Sequence, residues 1–134
     1  MEYRASQVAT ILKCPVEFVS RLGQVILPDD PAFGKGYRIG YSFRNILEVC
    51  IAEQLIAFGV PRKKIQFYLN GLRRAHNRWL EIDGPNGWVV LDSELRWAAG
   101  MTLEGAISML PEANACIVID IGKMKWRITR CIMH

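Results

Sequence analysis

The sequence predicts an α+β fold, with a helical group interrupted by a glycine-rich hairpin over residues 1–78 and a smaller α/β segment over 79–134. Three observations predict it. Apolar residues recur at helical spacing before residue 23 and again between residues 43 and 72. Between them lies a basic, aromatic stretch, Phe33-Gly34-Lys35-Gly36-Tyr37-Arg38-Ile39-Gly40-Tyr41-Ser42. Beyond residue 78, compact apolar runs such as Cys116-Ile117-Val118-Ile119 read as buried strands.

The elements follow in order. Ser6 is a suitable helix N-cap, and Val8, Ala9, Ile11 and Leu12 follow at helical spacing. Pro15 disfavours a helical residue before it, so the first helix is expected to end near Lys13-Cys14. Pro15 also suits the first turn of a second helix over about 15–22. That helix is expected to bury Val16, Val19 and either Phe18 or Leu22, and to expose Glu17, Ser20 and Arg21. Two short helices joined by so tight a turn outline a helix-turn-helix. Val25-Ile26-Leu27 reads as a strand and Pro28-Asp29-Asp30-Pro31 as a turn. Gly34 and Gly36 suit a hairpin tip, which makes residues 33–42 a wing. Lys35, Tyr37 and Arg38 on such a tip are placed to reach along a phosphate backbone.

Ser42 is the next N-cap, followed by a core helix from Phe43 to about Phe58, with Gly59 as its C-terminal cap. Pro61 starts a further helix that buries Ile65, Tyr68, Leu69 and Leu72. Arg62, Lys63 and Lys64 stand in its first turn, where cations oppose the helix dipole. They are read either as phosphate contacts or as a solvated helix end. Residues 79–82 and 88–91 flank Asp83-Gly84-Pro85-Asn86-Gly87 and are expected to pair as a hairpin. Thr102 caps a short helix through about Leu110. After Gly122, Met124, Ile128, Cys131 and Ile132 fit a helical face, although 125–128 also partly alternate like a strand; the helix is the preferred reading. Trp79, Trp88, Trp97 and Trp126 look exposed, which suits a dimer interface or a ligand pocket.

Charge is unevenly distributed. Residues 1–78 carry 12 Lys/Arg against 6 Asp/Glu, and residues 79–134 carry 5 against 7. The first part is suited to a polyanion. No stretch approaches the ~20 apolar residues of a membrane helix, and no secretory leader opens the chain, so a cytoplasmic protein is expected. Cys14, Cys50, Cys116 and Cys131 are far apart among apolar neighbours, as buried reduced thiols would be. The alternative is metal or redox sensing by two of them brought together. His76 reads as a surface residue, and no nucleophile motif, phosphate loop or carboxylate constellation stands out, so no enzymatic activity and no cofactor are expected.

Residues 3–72 resemble the DNA-binding domain of MerR-type transcription regulators. The resemblance rests on Gln7-Val8-Ala9, Val25-Ile26-Leu27-Pro28, Gly36-Tyr37-Arg38 with Tyr41-Ser42, Ile46-Leu47 with Leu55, and Gly59-Val60 with Ile65. Gly40 is an extra residue relative to the family pattern. The second helix reads Phe18-Val19-Ser20-Arg21 where the family has Leu-Arg-Tyr-Tyr, and a short α/β segment replaces the long dimerising helix. The resemblance implies a winged helix-turn-helix regulator that binds double-stranded DNA as a homodimer. Its second helix would lie in the major groove, with Glu17, Ser20 and Arg21 near base edges, although Glu17 also suits capping that helix. Lys35, Tyr37, Arg38 and Arg44 would grip phosphates, joined by Lys63 and Lys64. Residues 79–134 would serve dimerisation or bind a small-molecule effector. Competing readings are an excisionase-like or phage architectural DNA-binding factor, and a ligand- or protein-interaction module that no longer binds DNA.

Overall fold

The computed structural model describes residues 3–22, 40–110 and 115–133. They form a mixed α+β fold with six α-helices and one three-stranded antiparallel sheet. The expected strand at 25–27, the turn at 28–31 and the hairpin tip with Lys35, Tyr37 and Arg38 lie outside the described residues.

Helices α1 (Ala5–Leu12) and α2 (Val16–Leu22) pack against each other through Val8, Leu12, Val19 and Leu22. The first begins two residues earlier than Ser6 would allow as a cap. Arg4 takes that place, and its backbone N–H donates to Gln7 Oε1 at 2.8 Å. Ser6 lies inside the helix, where its carbonyl accepts from Thr10 Oγ1 at 3.0 Å. Lys13 ends α1 in the left-handed region (φ 55°), and its neighbour Cys14 donates back to the Ala9 carbonyl at 3.0 Å. Val16, expected in the core, is 39% exposed, because the face of α2 that meets α1 is set by Val19 and Leu22.

Helix α3 (Phe43–Ala57) begins at Ser42, whose hydroxyl accepts the Asn45 N–H at 3.2 Å. Every residue from 45 to 52 is buried, so α3 is enclosed on all sides and is the axis of the molecule. It closes with paired backbone bonds, Gly59 N–H to Ile56 and Val60 N–H to Leu55, around a Gly59 with φ 95°. A 3-10 turn, Arg62–Lys64, leads into α4 (Ile65–His76), and a second one, Asn77–Leu80, extends it. Two polar contacts fasten α4 to α3. Arg73 donates to both oxygens of Glu48, through Nε at 3.0 Å and Nη2 at 2.5 Å. Glu48 is 1% exposed, and Asn45 Nδ2 also donates to it. Nearer the end of α4, Arg44 donates to Asn77 Oδ1.

The hairpin is displaced from the expected one. Strand β1 (Trp88–Asp92) pairs with β2 (Trp97–Gly100), not with residues 79–82, of which Trp79 and Leu80 remain helical. Asp92 builds the connecting turn. Its Oδ1 accepts the N–H groups of Glu94 (2.9 Å) and Arg96 (2.8 Å), and Oδ2 accepts Arg96 Nε at 2.7 Å. Helix α5 (Leu103–Ser108) follows, capped by Thr102 as expected, with Gly105 N–H donating to its hydroxyl at 3.0 Å. Strand β3 (Cys116–Asp120) adds to the other edge of β1, giving the order β2-β1-β3.

Alternation along the strands separates two apolar layers. Val89, Leu91, Ala99 and Ile119 face the main core, whereas Val90 and Ala98 pack on Ala106 and Leu110 around α5. Only Ile119 of β3 is fully buried, which is less than the apolar run implied, because β3 is an edge strand. Gly100 is needed at the end of β2, since a Cβ there would lie 2.6 Å from the Ala106 backbone nitrogen.

Helix α6 (Ile121–Met133) follows β3 without a loop, and Asp120 Oδ1 caps it by accepting the Lys123 N–H at 2.9 Å. This is the helical alternative for 121–133. Ile121, Met124 and Ile128 are buried, and the helix packs against α1 and α3. Lys125 is also buried, and its ammonium donates to the Pro85 carbonyl at 3.1 Å. Burial lowers its pKa, and the nearby Arg78 charge lowers it further. One core cluster therefore runs from Val8 to Ile128 on both sides of residue 78.

Trp79, Trp88 and Trp97 are packing residues rather than exposed ones; only Trp126 stands out, at 60% exposure. Trp97 Nε1 donates to the Tyr68 carbonyl at 3.0 Å. The cysteines also depart from uniform burial. Cys50 is buried, Cys14 and Cys116 are half-buried, and Cys131, in the last turn of α6, is exposed. No described helix is long and apolar enough to cross a membrane.

Two outcomes are expected. Arg73→Met leaves the Glu48 carboxylate buried without its main partner and should cost about 3–5 kcal/mol in urea unfolding, while the Glu48→Met/Arg73→Met double variant recovers most of it. A single-variant cost below about 1 kcal/mol would show that the pair is dispensable. Burial raises the Asp92 pKa, but the donors from Arg96 and Glu94 outweigh it and hold the carboxyl below its usual range. Its contribution is thus complete above the unfolded carboxylate pKa of about 3.9 and fades as pH falls through the lower folded value. Asp92→Asn should flatten the acid side of the stability–pH curve there and leave its slope above about pH 5 unchanged.

Candidate nucleic-acid interface

The second helix presents one polar face. Val19 and Leu22 point inward, which leaves Glu17, Ser20 and Arg21 exposed together at helical spacing. Three contacts hold this face in place. The first is the α1–α2 packing. The second comes from Tyr41, 1% exposed, whose hydroxyl donates to the Val19 carbonyl at 3.2 Å. Burial raises the Tyr41 pKa, and the hydroxyl stays a donor. Tyr41 is itself anchored by a two-way backbone bridge with Tyr3, at 2.8 and 2.7 Å.

The third contact reaches α2 from the turn that precedes α4. The Arg62 guanidinium stacks over the Phe18 ring, 5.5 Å from its centroid. Such a stack on a partly exposed ring is worth about 0.5–1 kcal/mol. It also sets the 3-10 turn beside α2. Arg21, Arg62, Lys63 and Lys64 are all exposed, and among the described residues no carboxylate forms an ion pair with any of them. Cations that work against the dipole of α4 therefore stand at its start without a structural partner among the described carboxylates. Arg78, in contrast, is taken up by Glu81 and by Asp83 at 3.1 Å.

The site residues expected from the sequence are thus only partly assembled. Glu17, Ser20 and Arg21 share one face, and Arg62 joins them to Lys63 and Lys64. Arg44 is half-buried and donates to Asn77, bridging the start of α3 to the end of α4. Lys35, Tyr37 and Arg38 lie outside the described residues. His76 is half-buried, not superficial, and its Nε2 lies 3.2 Å from the Trp97 carbonyl, which accepts the proton in the Nε2–H tautomer. Among the described residues there is no cluster of three His, Cys, Asp or Glu side chains able to hold a metal ion. The Arg62–Phe18 stack had no signature in the sequence, since it joins residues far apart in the chain.

No protein-family model matches the chain, and a search of curated proteins returns no match.

Tyr41→Phe is expected to cost about 1 kcal/mol and to raise hydrogen exchange in α2 while the amides of α3 stay protected. Equal protection of α2 in both proteins would show that the Tyr41 hydroxyl does not hold the helix.

Proposed function

We propose that this chain is a sequence-specific DNA-binding transcriptional regulator of the winged helix-turn-helix, MerR-like type, acting as a homodimer. The observation that carries the proposal is the α2 face of Glu17, Ser20 and Arg21 flanked by the exposed cations Arg62, Lys63 and Lys64. A short exposed helix with small and bidentate polar side chains suits the major groove, where Arg can pair with guanine and Ser with either base type. Adjacent cations off the helix suit the phosphates that run beside the groove. The division of charge supports the same reading, since residues 1–78 carry the basic excess. In this reading Lys35, Tyr37 and Arg38 form the wing and add phosphate contacts, and residues 79–134 serve dimerisation or effector binding. Two-fold pairing would present two copies of α2 to half-sites about one helical turn apart.

Fluorescence anisotropy on the DNA upstream of its own coding region, across a salt series, tests this. Specific binding with a linear log–log salt dependence is expected. Replacing Arg62, Lys63 and Lys64 together with Ala should lower the salt slope by about one for each phosphate no longer neutralised, and weaken all sequences alike. Arg21→Ala should relax sequence preference instead, by about 1–3 kcal/mol at one position. Binding without any salt slope, or no preference over random DNA, would sink the proposal.

A further inference from the structure

A second polar site lies away from the α2 face, where the end of α1, the middle of α3 and the second half of α6 meet. A cavity of about 450 Å³ opens there. That volume falls within the ~300–1,000 Å³ of small-molecule sites. Its floor is apolar, formed by Leu12, Met124 and Ile128, all at most 9% exposed. Its rim is cationic. Lys13, Arg127 and Arg130 line it, and no carboxylate does among the described residues. Glu53 acts electrostatically on the Cys50 thiol but is not part of the wall. The Cys50 thiol adds no negative charge, because burial pushes its pKa up to about 11.

The aromatic group at the mouth is also arranged. Trp126 lines the cavity and leaves 60% of its surface exposed, an unusual position for so large an apolar side chain. Arg130, which also lines the cavity, stacks on its ring at 5.1 Å from the centroid. Three cations around an apolar recess match a ligand with a negative head and an apolar body. They do not match a phosphodiester backbone, which brings charge without an apolar body to fill the floor.

We propose that this cavity binds a small organic anion with an apolar, planar body, of the aromatic carboxylate or sulfonate class. The anionic group sits among Lys13, Arg127 and Arg130, and the ring system enters over Leu12, Met124 and Ile128 beside Trp126. Nothing in this assignment requires DNA, and its test uses the protein without DNA.

The probe is 8-anilinonaphthalene-1-sulfonate, compared with its uncharged counterpart N-phenyl-1-naphthylamine. Saturable one-to-one fluorescence enhancement is expected for the sulfonate, with the uncharged compound at least about tenfold weaker. The variant carries Lys13→Asn, Arg127→Gln and Arg130→Gln. Asn is chosen at position 13 because it tolerates the left-handed backbone there (φ 55°). The substitutions should weaken the sulfonate about tenfold, leave the uncharged compound unchanged, and leave the thermal midpoint near that of the parent protein. Amide shifts of the parent protein on adding the sulfonate, read by NMR, should cluster at residues 11–13 and 124–131. The proposal is overturned by comparable affinity for the two compounds, by sulfonate binding that survives the triple substitution, or by shifts that cluster elsewhere.

Discussion

A single buried ion pair sets the geometry of the helical part of this protein. Glu48 sits in the middle of the enclosed stretch of α3, where nothing but a matched donor makes a carboxylate tolerable. Arg73 supplies two parallel donors from α4, and Asn45 supplies another. A bidentate contact fixes rotation as well as distance, so α4 has one angular position against α3. Apolar packing of Ile65, Leu69 and Leu72 alone would tolerate several. The start of α4 then has a defined place, and with it the Arg62 side chain that lies over Phe18.

The same logic, a polar contact choosing one arrangement among several apolar ones, recurs at the joints of the fold. Asp92 selects the hairpin turn between β1 and β2. Lys125 reaches under residues 81–87 to the Pro85 carbonyl, and Arg78 binds the rim of that segment through Asp83. Tyr41 does this for α2. Each of these groups is satisfied; among the described residues no buried side-chain polar atom lacks a hydrogen-bond partner. Apolar burial supplies most of the driving force, and the satisfied polar contacts restrict which packing results.

Local signals were readable at several helix ends, although Ser6, read by the same hydroxyl logic, stands inside α1 and does not cap it. Ser42, Gly59 and Thr102 mark helix ends because a hydroxyl or a positive φ was needed there, and these positions came out of the sequence directly. The sheet was harder. Asp83-Gly84 and Asn86-Gly87 have the composition of tight hairpin turns, yet Trp79 and Leu80 before them continue the helical path of α4. The true partner of β1 is Trp97-Ala98-Ala99-Gly100, whose alanines and glycine have little strand preference. It is a strand because β1 pairs with it and α5 leaves room for nothing larger. Among the site residues, the α2 face was legible because Val19 and Leu22 fix which side turns outward. The position of Arg62, the bond of Arg44 to Asn77 and the convergence of Lys13 with Arg127 and Arg130 depend on contacts between distant residues. No local pattern encodes those.

Helix α6 closes the core against α1 and α3, far upstream in the chain, and this has a consequence for synthesis. A growing chain emerges from its N-terminal side. Until residues 121–133 are available, the apolar side of α1 and α3 that receives Met124 and Ile128 stays open to water, however well those earlier helices have formed. The helical group at the start of the chain therefore cannot complete its folding as it is made, and depends on a segment translated much later. Fragments that stop before Ile121 would carry the same open apolar surface permanently.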